Sequence, residues 1–151
     1  WTPCPMEIDA ALAPVWRRGA QGCAVAPAQL GLWAFQPMQG GVMFWSELRD
    51  SVIMIANNGR WVEVTDNWDE SQPELSCSAS PPEGLIQPKR GFGMAWCNQP
   101  DMREALGYAT LVEGVTDALL QRLSGGLLLY RVGDAAWLLH PDGTWTGQPV
   151  P

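Results

Sequence analysis

Positive charge is scarce in this chain. Its 151 residues include 9 lysines and arginines against 16 acidic residues, Lys89 is the only lysine, and the net charge is −7. Binding to nucleic acid or to anionic lipid needs a basic face that neutralises phosphate. The composition therefore disfavours nucleic-acid and membrane-surface partners. No apolar run reaches the roughly 18 residues that a membrane span needs.

The usual material for catalysis and metal binding is also sparse. His140 is the only histidine, and the sequence has no Cys-x-x-Cys pair, no Gly-x-Gly-x-x-Gly and no phosphate loop. A Cys–His nucleophile or a zinc site therefore has poor material. The acidic segment 66–70, "DNWDE", lacks the glycine of a calcium loop and has Trp68 at a ligand position. We expect no enzyme activity, no bound metal and no cofactor.

The four cysteines are evenly arranged. The spacing from Cys4 to Cys23 nearly equals that from Cys77 to Cys97, which favours these two pairings among three connectivities, with four free thiols as the alternative. Each such disulfide would stabilise the fold by roughly 3 kcal/mol in the chain-entropy model. Disulfides imply a location outside the cytosol. The opening Trp1-Thr2-Pro3, without Met, suggests a processed chain or a fragment.

A double-glycine phrase occurs twice. "QPMQGGVMFW" (36–45) and "QRLSGGLLLY" (121–130) align at an offset of 85, as do "GCA" and "GYA" upstream, and "NGRW" matches "DGTW" downstream with one deletion. Such self-similarity predicts an internal duplication in which each copy needs a neighbour to bury its apolar face. The repeat anchors are Gly40, Gly41, Trp45 and Trp61 in the first copy, and Gly125, Gly126, Tyr130 and Trp145 in the second.

Local patterns predict the elements of each copy. Residues 6–18 have helical spacing interrupted by Pro14, and 100–106 predict a helix that ends before Gly107. Short apolar runs around the Asn58-Gly59 and Asp142-Gly143 turn signals predict strands. The expected fold is a β-rich α+β protein with two tandem repeats, each a helical leader followed by a three-stranded antiparallel meander. The predicted domains are 1–66, a Pro/Ser-rich linker 67–90, and 91–151.

The two phrases, "GCA…FQPMQGGVMFW…IANNGRW" and "LGYA…LQRLSGGLLLY…LLHPDGTW", resemble the LGFP repeat of actinobacterial cell-wall proteins. Ala24 and Ala109 stand where the motif has proline, and Met38 and Leu123 where it has phenylalanine. The resemblance implies an envelope-anchoring role without catalytic residues.

Tryptophan is abundant, with nine residues. Those at repeat positions are expected to be structural, whereas Trp33, Phe35 and Trp68 have no counterpart and form the candidate contact surface, since exposed aromatic rings stack on sugars or enter partner pockets. The alternative is that they cap the repeats against each other. The sequence predicts a secreted binding or anchoring module for envelope polysaccharide or a surface protein; the alternative is a self-packing structural subunit of an extracellular assembly.

Overall fold

The computed structural model describes residues 4–19, 22–133 and 135–149; the opening Trp1-Thr2-Pro3 lies outside these ranges. Strands provide most of the regular structure. In the first half they are β1 (Gln29–Met38), β2 (Gly41–Ser46), β3 (Ser51–Ala56) and β4 (Trp61–Thr65), and in the second half β5 (Gly114–Leu123), β6 (Gly126–Arg131), β7 (Ala135–Leu139) and β8 (Trp145–Pro149). The helices are α1 (Ala13–Gly19), α2 (Arg90–Asn98) and α3 (Pro100–Leu106).

The strand arrangement corrects the predicted fold class. The eight strands belong to one sheet in the order β4-β3-β2-β1-β5-β6-β7-β8, and consecutive strands pair antiparallel from β1 to β4 and from β5 to β8. The expected two repeats of a helix and a three-stranded meander are therefore wrong. The strands form two sets of four, β1–β4 and β5–β8. In each set a long strand, β1 or β5, precedes the three strands that the sequence predicted. The helical segments also differ: one short helix precedes the first set, and two precede the second.

The two strand sets nevertheless keep the sequence register. β1 and β5 each have ten residues and start at Gln29 and Gly114, 85 positions apart, and β2 and β6 start at Gly41 and Gly126. The corresponding tryptophans, Trp61 and Trp145, open β4 and β8.

The repeated glycine at the start of β2 and β6 has a steric reason. Gly41 and Gly126 have φ of 156° and 153°, values that residues with a side chain rarely adopt. A Cβ on Gly41 would clash with the Ile55 carbonyl oxygen, and one on Gly126 would lie 2.6 Å from that of Leu139. Glycine therefore lets the next strand pair closely at this point.

Two helix predictions had different outcomes. The helix at Pro100–Leu106 is confirmed, and the N–H of Gly107, with φ of 67°, caps it by donating to the Arg103 carbonyl. The helix predicted over residues 6–18 is shorter than expected, since α1 begins at Ala13. Pro14 lies in its first turn, where the missing N–H forfeits no intrahelical bond.

The chain divides into two compact units. Unit 1 comprises Trp1–Leu32 and Thr116–Pro151, and unit 2 comprises Trp33–Val115, a division that differs from the predicted 1–66, 67–90 and 91–151. In unit 1, Leu12 and Val15 pack with strand residues such as Leu128. In unit 2, Trp96 is 1% exposed, packs among Phe92, Met43, Met54 and Leu106, and donates its indole N–H to the Gly107 carbonyl at 2.8 Å.

One disulfide lies in each unit. Cys4 is bonded to Cys23 and Cys77 to Cys97, so the pairing predicted from the spacing is confirmed. Two disulfides are typical of an oxidising, extracellular environment. Of the helices in the described ranges, none is long and apolar enough to cross a membrane.

Candidate functional site

The predicted contact surface is only partly exposed. Trp33 is 3% exposed and lies edge-on to Phe44, with ring centroids 6.3 Å apart, and the half-buried Phe35 is 5.9 Å from the same ring. Trp33 is therefore a core residue, and its place in the contact surface was wrong. The error has a simple cause: β1 was not predicted, so its inward-facing positions were taken for a loop. Trp68 is half-buried and donates its indole N–H to the Pro73 carbonyl.

The aromatic repeat anchors are less buried than a core position requires. Trp45 is half-buried and packs against the core of unit 2, and Trp61, Tyr130 and Trp145 are also half-buried. These side chains cover the edges of the cores, and Trp96 and Trp33 are the tryptophans buried inside unit 2.

Two cavities in unit 2 share lining residues. The first has a volume of about 230 Å³ and is lined by residues that include Gln36, Ile86, Lys89, Val112, Arg90 and Glu113. The second, of about 260 Å³, is lined by residues that include Trp45, Asp66, Trp68, Gly91, Arg90 and Glu113. Because Arg90 and Glu113 belong to both, we treat the two cavities as one site, the unit 2 cleft.

The local backbone brings Arg90 and Asp66 to the cleft. Arg90 opens α2 with φ of 56°, a left-handed conformation that is uncommon for a residue with a side chain. Its N–H donates to the Glu74 carbonyl at 2.7 Å, which holds this conformation. The next residue, Gly91, lies against the Asp66 carboxylate: a Cβ on Gly91 would lie 2.7 Å from Asp66 Oδ1 and would push that side chain aside.

The charges of the cleft are coupled. Partial desolvation raises the pKa of the Glu113 carboxyl; Asp66 raises it further, whereas the positive charge of Arg90 lowers it. Glu113 is nevertheless exposed by surface area, so its carboxylate remains available to solvent or to a ligand. Lys89 stands at the rim in a loose, exposed ion pair with Glu74, 4.0 Å apart.

Two buried polar atoms of the cleft have no hydrogen-bond partner among the described residues: Gln36 Oε1 and Trp45 Nε1. Gln36 is only 3% exposed, and its Nε2 donates to the Leu111 carbonyl at 3.0 Å. Buried polar groups in proteins are nearly always paired. An unpaired acceptor and an unpaired donor at one cleft are therefore unusual. Both atoms are closed to solvent in this structure, so a ligand reaches them only when neighbouring side chains move aside.

The cleft offers hydrogen-bonding and ionic groups. It combines an acceptor at Gln36, a donor at Trp45, a cation at Arg90 and carboxylates at Asp66 and Glu113. In the described part of the chain, no three histidine, cysteine or acidic residues are grouped so that they could hold a metal ion. The sequence singled out Trp45 and Trp68 of this cleft, marked Gln36 only as part of the repeated phrase, and did not mark Arg90 or Glu113. The shared position of Gln36 and Gln121 in the repeated phrase was the available signal for Gln36.

Comparison with known proteins identifies no relative of this chain. No family model matches the chain, and neither a curated protein nor a solved structure matches it.

Proposed function

We propose that this protein is a secreted, non-catalytic binding module whose ligand occupies the unit 2 cleft. The observation that carries the proposal is the pair of buried, unpaired polar atoms at the cleft, Gln36 Oε1 and Trp45 Nε1. Each such atom costs about 1–3 kcal/mol when it is left unsatisfied in the folded protein. A ligand that enters the cleft and hydrogen-bonds either atom recovers part of that free energy, and this supports a binding role for the cleft.

The cleft also has the features of a recognition site for a polar ligand. Trp68 presents part of its ring at one side, and an aromatic face can stack against a sugar ring or an apolar side chain. Arg90 supplies a cation with several N–H donors, which suits a carboxylate or a carbonyl. All four cysteines are in disulfides, so no thiolate is available as a nucleophile.

Two observations of different kinds support the proposed location. The disulfides suit an oxidising environment outside the cytosol. The resemblance of the repeated phrases to the LGFP repeat supports a role at the cell envelope. On this proposal the partner is an envelope polysaccharide or another surface protein.

The test is binding of the purified protein to arrays of envelope oligosaccharides and of peptides, followed by titration of any ligand found. Trp45→Phe removes the indole N–H and makes the ring smaller, and we expect loss of the N–H to weaken binding about tenfold, the value of one hydrogen bond. Trp145→Phe, in unit 1, is the matched control and should bind as the wild type does. Equal affinities for all three proteins, or no ligand on either array, would contradict the proposal.

A structural role in an assembly is the second candidate, and one feature of unit 1 favours it. Leu30 and Leu32 lie two residues apart in β1, on the same side of the strand, and are 67% and 70% exposed. Exposed apolar side chains of this kind favour packing against another chain. Light scattering tests it: an assembling subunit gains mass with concentration, and Leu30→Ser with Leu32→Ser should abolish the gain. A monomer at all concentrations would exclude this candidate.

A further inference from the structure

Unit 1 shows how a glutamine at this position of the repeated strand is satisfied. Gln121, in β5, is 2% exposed. Its Oε1 accepts the backbone N–H of Asp9 at 2.9 Å, and its Nε2 donates to the carbonyls of Glu7, at 3.3 Å, and Ala26, at 3.2 Å. The carbonyl of one residue and the N–H two residues later point to the same side of an extended chain. The Gln121 side chain therefore pairs with the segment 7–9 as a neighbouring strand would.

Gln36 occupies the corresponding position of β1, 85 residues earlier, and shares only part of this arrangement. Its Nε2 donates to the carbonyl of Leu111, the residue that corresponds to Ala26. The counterparts of the Glu7 carbonyl and the Asp9 N–H are missing, so Oε1 has no partner among the described residues. The positions 85 residues after 7–9 lie in the helix α2, whose backbone is already internally bonded and is not extended.

The orientation of the Gln36 amide is fixed by its neighbour. If the amide were reversed, its oxygen would face the Leu111 carbonyl oxygen, and two acceptors repel each other. The Gln36 amide therefore has an unpaired acceptor and the second N–H of Nε2 left for a partner. The oxygen is closed to solvent in this structure, so a partner reaches it by displacing neighbouring side chains. A partner has to supply a donor and an acceptor with the spacing that segment 7–9 provides in unit 1.

We propose that the unit 2 cleft binds an extended peptide segment of a partner protein through its main chain, with the Gln36 amide pairing with the carbonyl of one residue and the N–H two residues later. This inference rests on the proposed function and specifies its ligand class. The lining suits a peptide, because Ile86 and Val112 offer apolar contacts to side chains while Lys89, Arg90 and Glu113 offer charged ones. Peptide recognition by main-chain pairing of this kind gives affinity, and the surrounding side chains give specificity.

The experiment uses the full chain and an array of acetylated, amidated hexapeptides of varied sequence. The tightest binder is resynthesised with each backbone nitrogen methylated in turn, which removes one N–H at a time. We expect one methylation to weaken binding about tenfold, and Gln36→Met to weaken it more, because this variant loses the hydrogen bonds to both the N–H and the carbonyl of the peptide. Combined, the two changes should weaken binding no further than Gln36→Met alone, because that variant already lacks the hydrogen bond that the methylation removes.

The outcomes separate this inference from the proposed function. An oligosaccharide that binds and is lost with Gln36→Met, in the absence of peptide binding, would overturn the inference and leave the function standing. A peptide whose affinity is unchanged by every single N-methylation would also overturn the inference. No ligand of either class would overturn both. Since the methylated peptides are tested on the wild-type chain, the result does not depend on the variant folding.

Discussion

Gln36 and Gln121 hold the same position in β1 and β5, 85 residues apart, yet only the Gln121 amide has both its oxygen and its nitrogen hydrogen-bonded within the described chain. Both side chains are buried, 3% and 2% exposed respectively. The strands of the two halves therefore keep the same buried polar residue, while the segments packed against them differ. The binding proposal is based on Gln36, a buried strand residue that lacks the backbone partners that Gln121 has.

The first prediction compares the two glutamines. Gln121→Leu should lower the free energy of unfolding by about 1–3 kcal/mol more than Gln36→Leu does. The Gln121 variant leaves the backbone N–H of Asp9 and the carbonyls of Glu7 and Ala26 without their hydrogen-bond partner. Gln36→Leu loses one hydrogen bond but also removes an unpaired buried oxygen. Urea unfolding of both variants measures the difference. A larger loss in Gln36→Leu would show that its amide already has a structural partner.

The second prediction concerns the aromatic residues that the sequence grouped together. Trp33→Ala should destabilise the fold by about 3–5 kcal/mol, since it empties a buried site against Phe44. Trp68→Ala should cost clearly less, because this ring is half-buried and its indole N–H donates to the Pro73 carbonyl at the surface. Thermal melts of the two variants measure the two losses of stability. Equal losses would place Trp68 in the core and remove it from the cleft's exposed surface.

Local signals in the sequence were sufficient for some elements. The Asn58-Gly59 turn separates β3 from β4, and Pro100 and Gly107 delimit α3, because each depends on residues adjacent in the chain. β1 was not predicted: Gly31 and Pro37 are both disfavoured in strand interiors. α2 was not predicted either, since Gly91 and Gly93 are poor helix formers. Tertiary packing forms these elements against their local preference.

The unit 2 cleft could not be predicted from local sequence patterns, for a different reason. Asp66, Arg90 and Glu113 are far apart in the sequence: Asp66 precedes the predicted linker, Arg90 ends it, and Glu113 lies in the predicted second repeat. The contacts that bring them together, such as the Arg90 N–H to the Glu74 carbonyl, are long-range and leave no periodic pattern. The disulfides, by contrast, could be predicted because their spacing repeats.

The third prediction tests the steric role of the repeated glycine. Gly41→Ala should destabilise the protein by more than 1 kcal/mol, because the new methyl group meets the Ile55 carbonyl and the backbone has φ of 156°. Gly31→Ala is the control within the same sheet, since its Cβ would meet nothing within 4 Å; it should change stability by less than about 0.5 kcal/mol. Denaturant unfolding of the two proteins gives the comparison. A mild Gly41→Ala would mean that β2 and β3 can shift to accommodate the methyl group.

The fourth prediction follows from the raised pKa of Glu113. Desolvation and the charge of Asp66 favour the protonated carboxyl in the folded protein, against the opposing effect of Arg90. A carboxyl whose folded pKa is raised contributes stability below its unfolded pKa, and that contribution is lost as the pH rises through the folded pKa. The pH range in which this stability is lost therefore begins near the ordinary pKa of 4.5 and extends upward.

Glu113→Gln cannot ionise, so its melting temperature relative to the wild type should rise as the pH increases from about 4 to 7. We expect the rise to be small, because Glu113 is exposed by area. In Asp66→Asn the rise should become smaller without disappearing, because desolvation is the larger cause of the raised pKa. A relative melting temperature that falls over this range would show that the attraction to Arg90 outweighs both other effects, and that the cleft holds Glu113 as a stable anion.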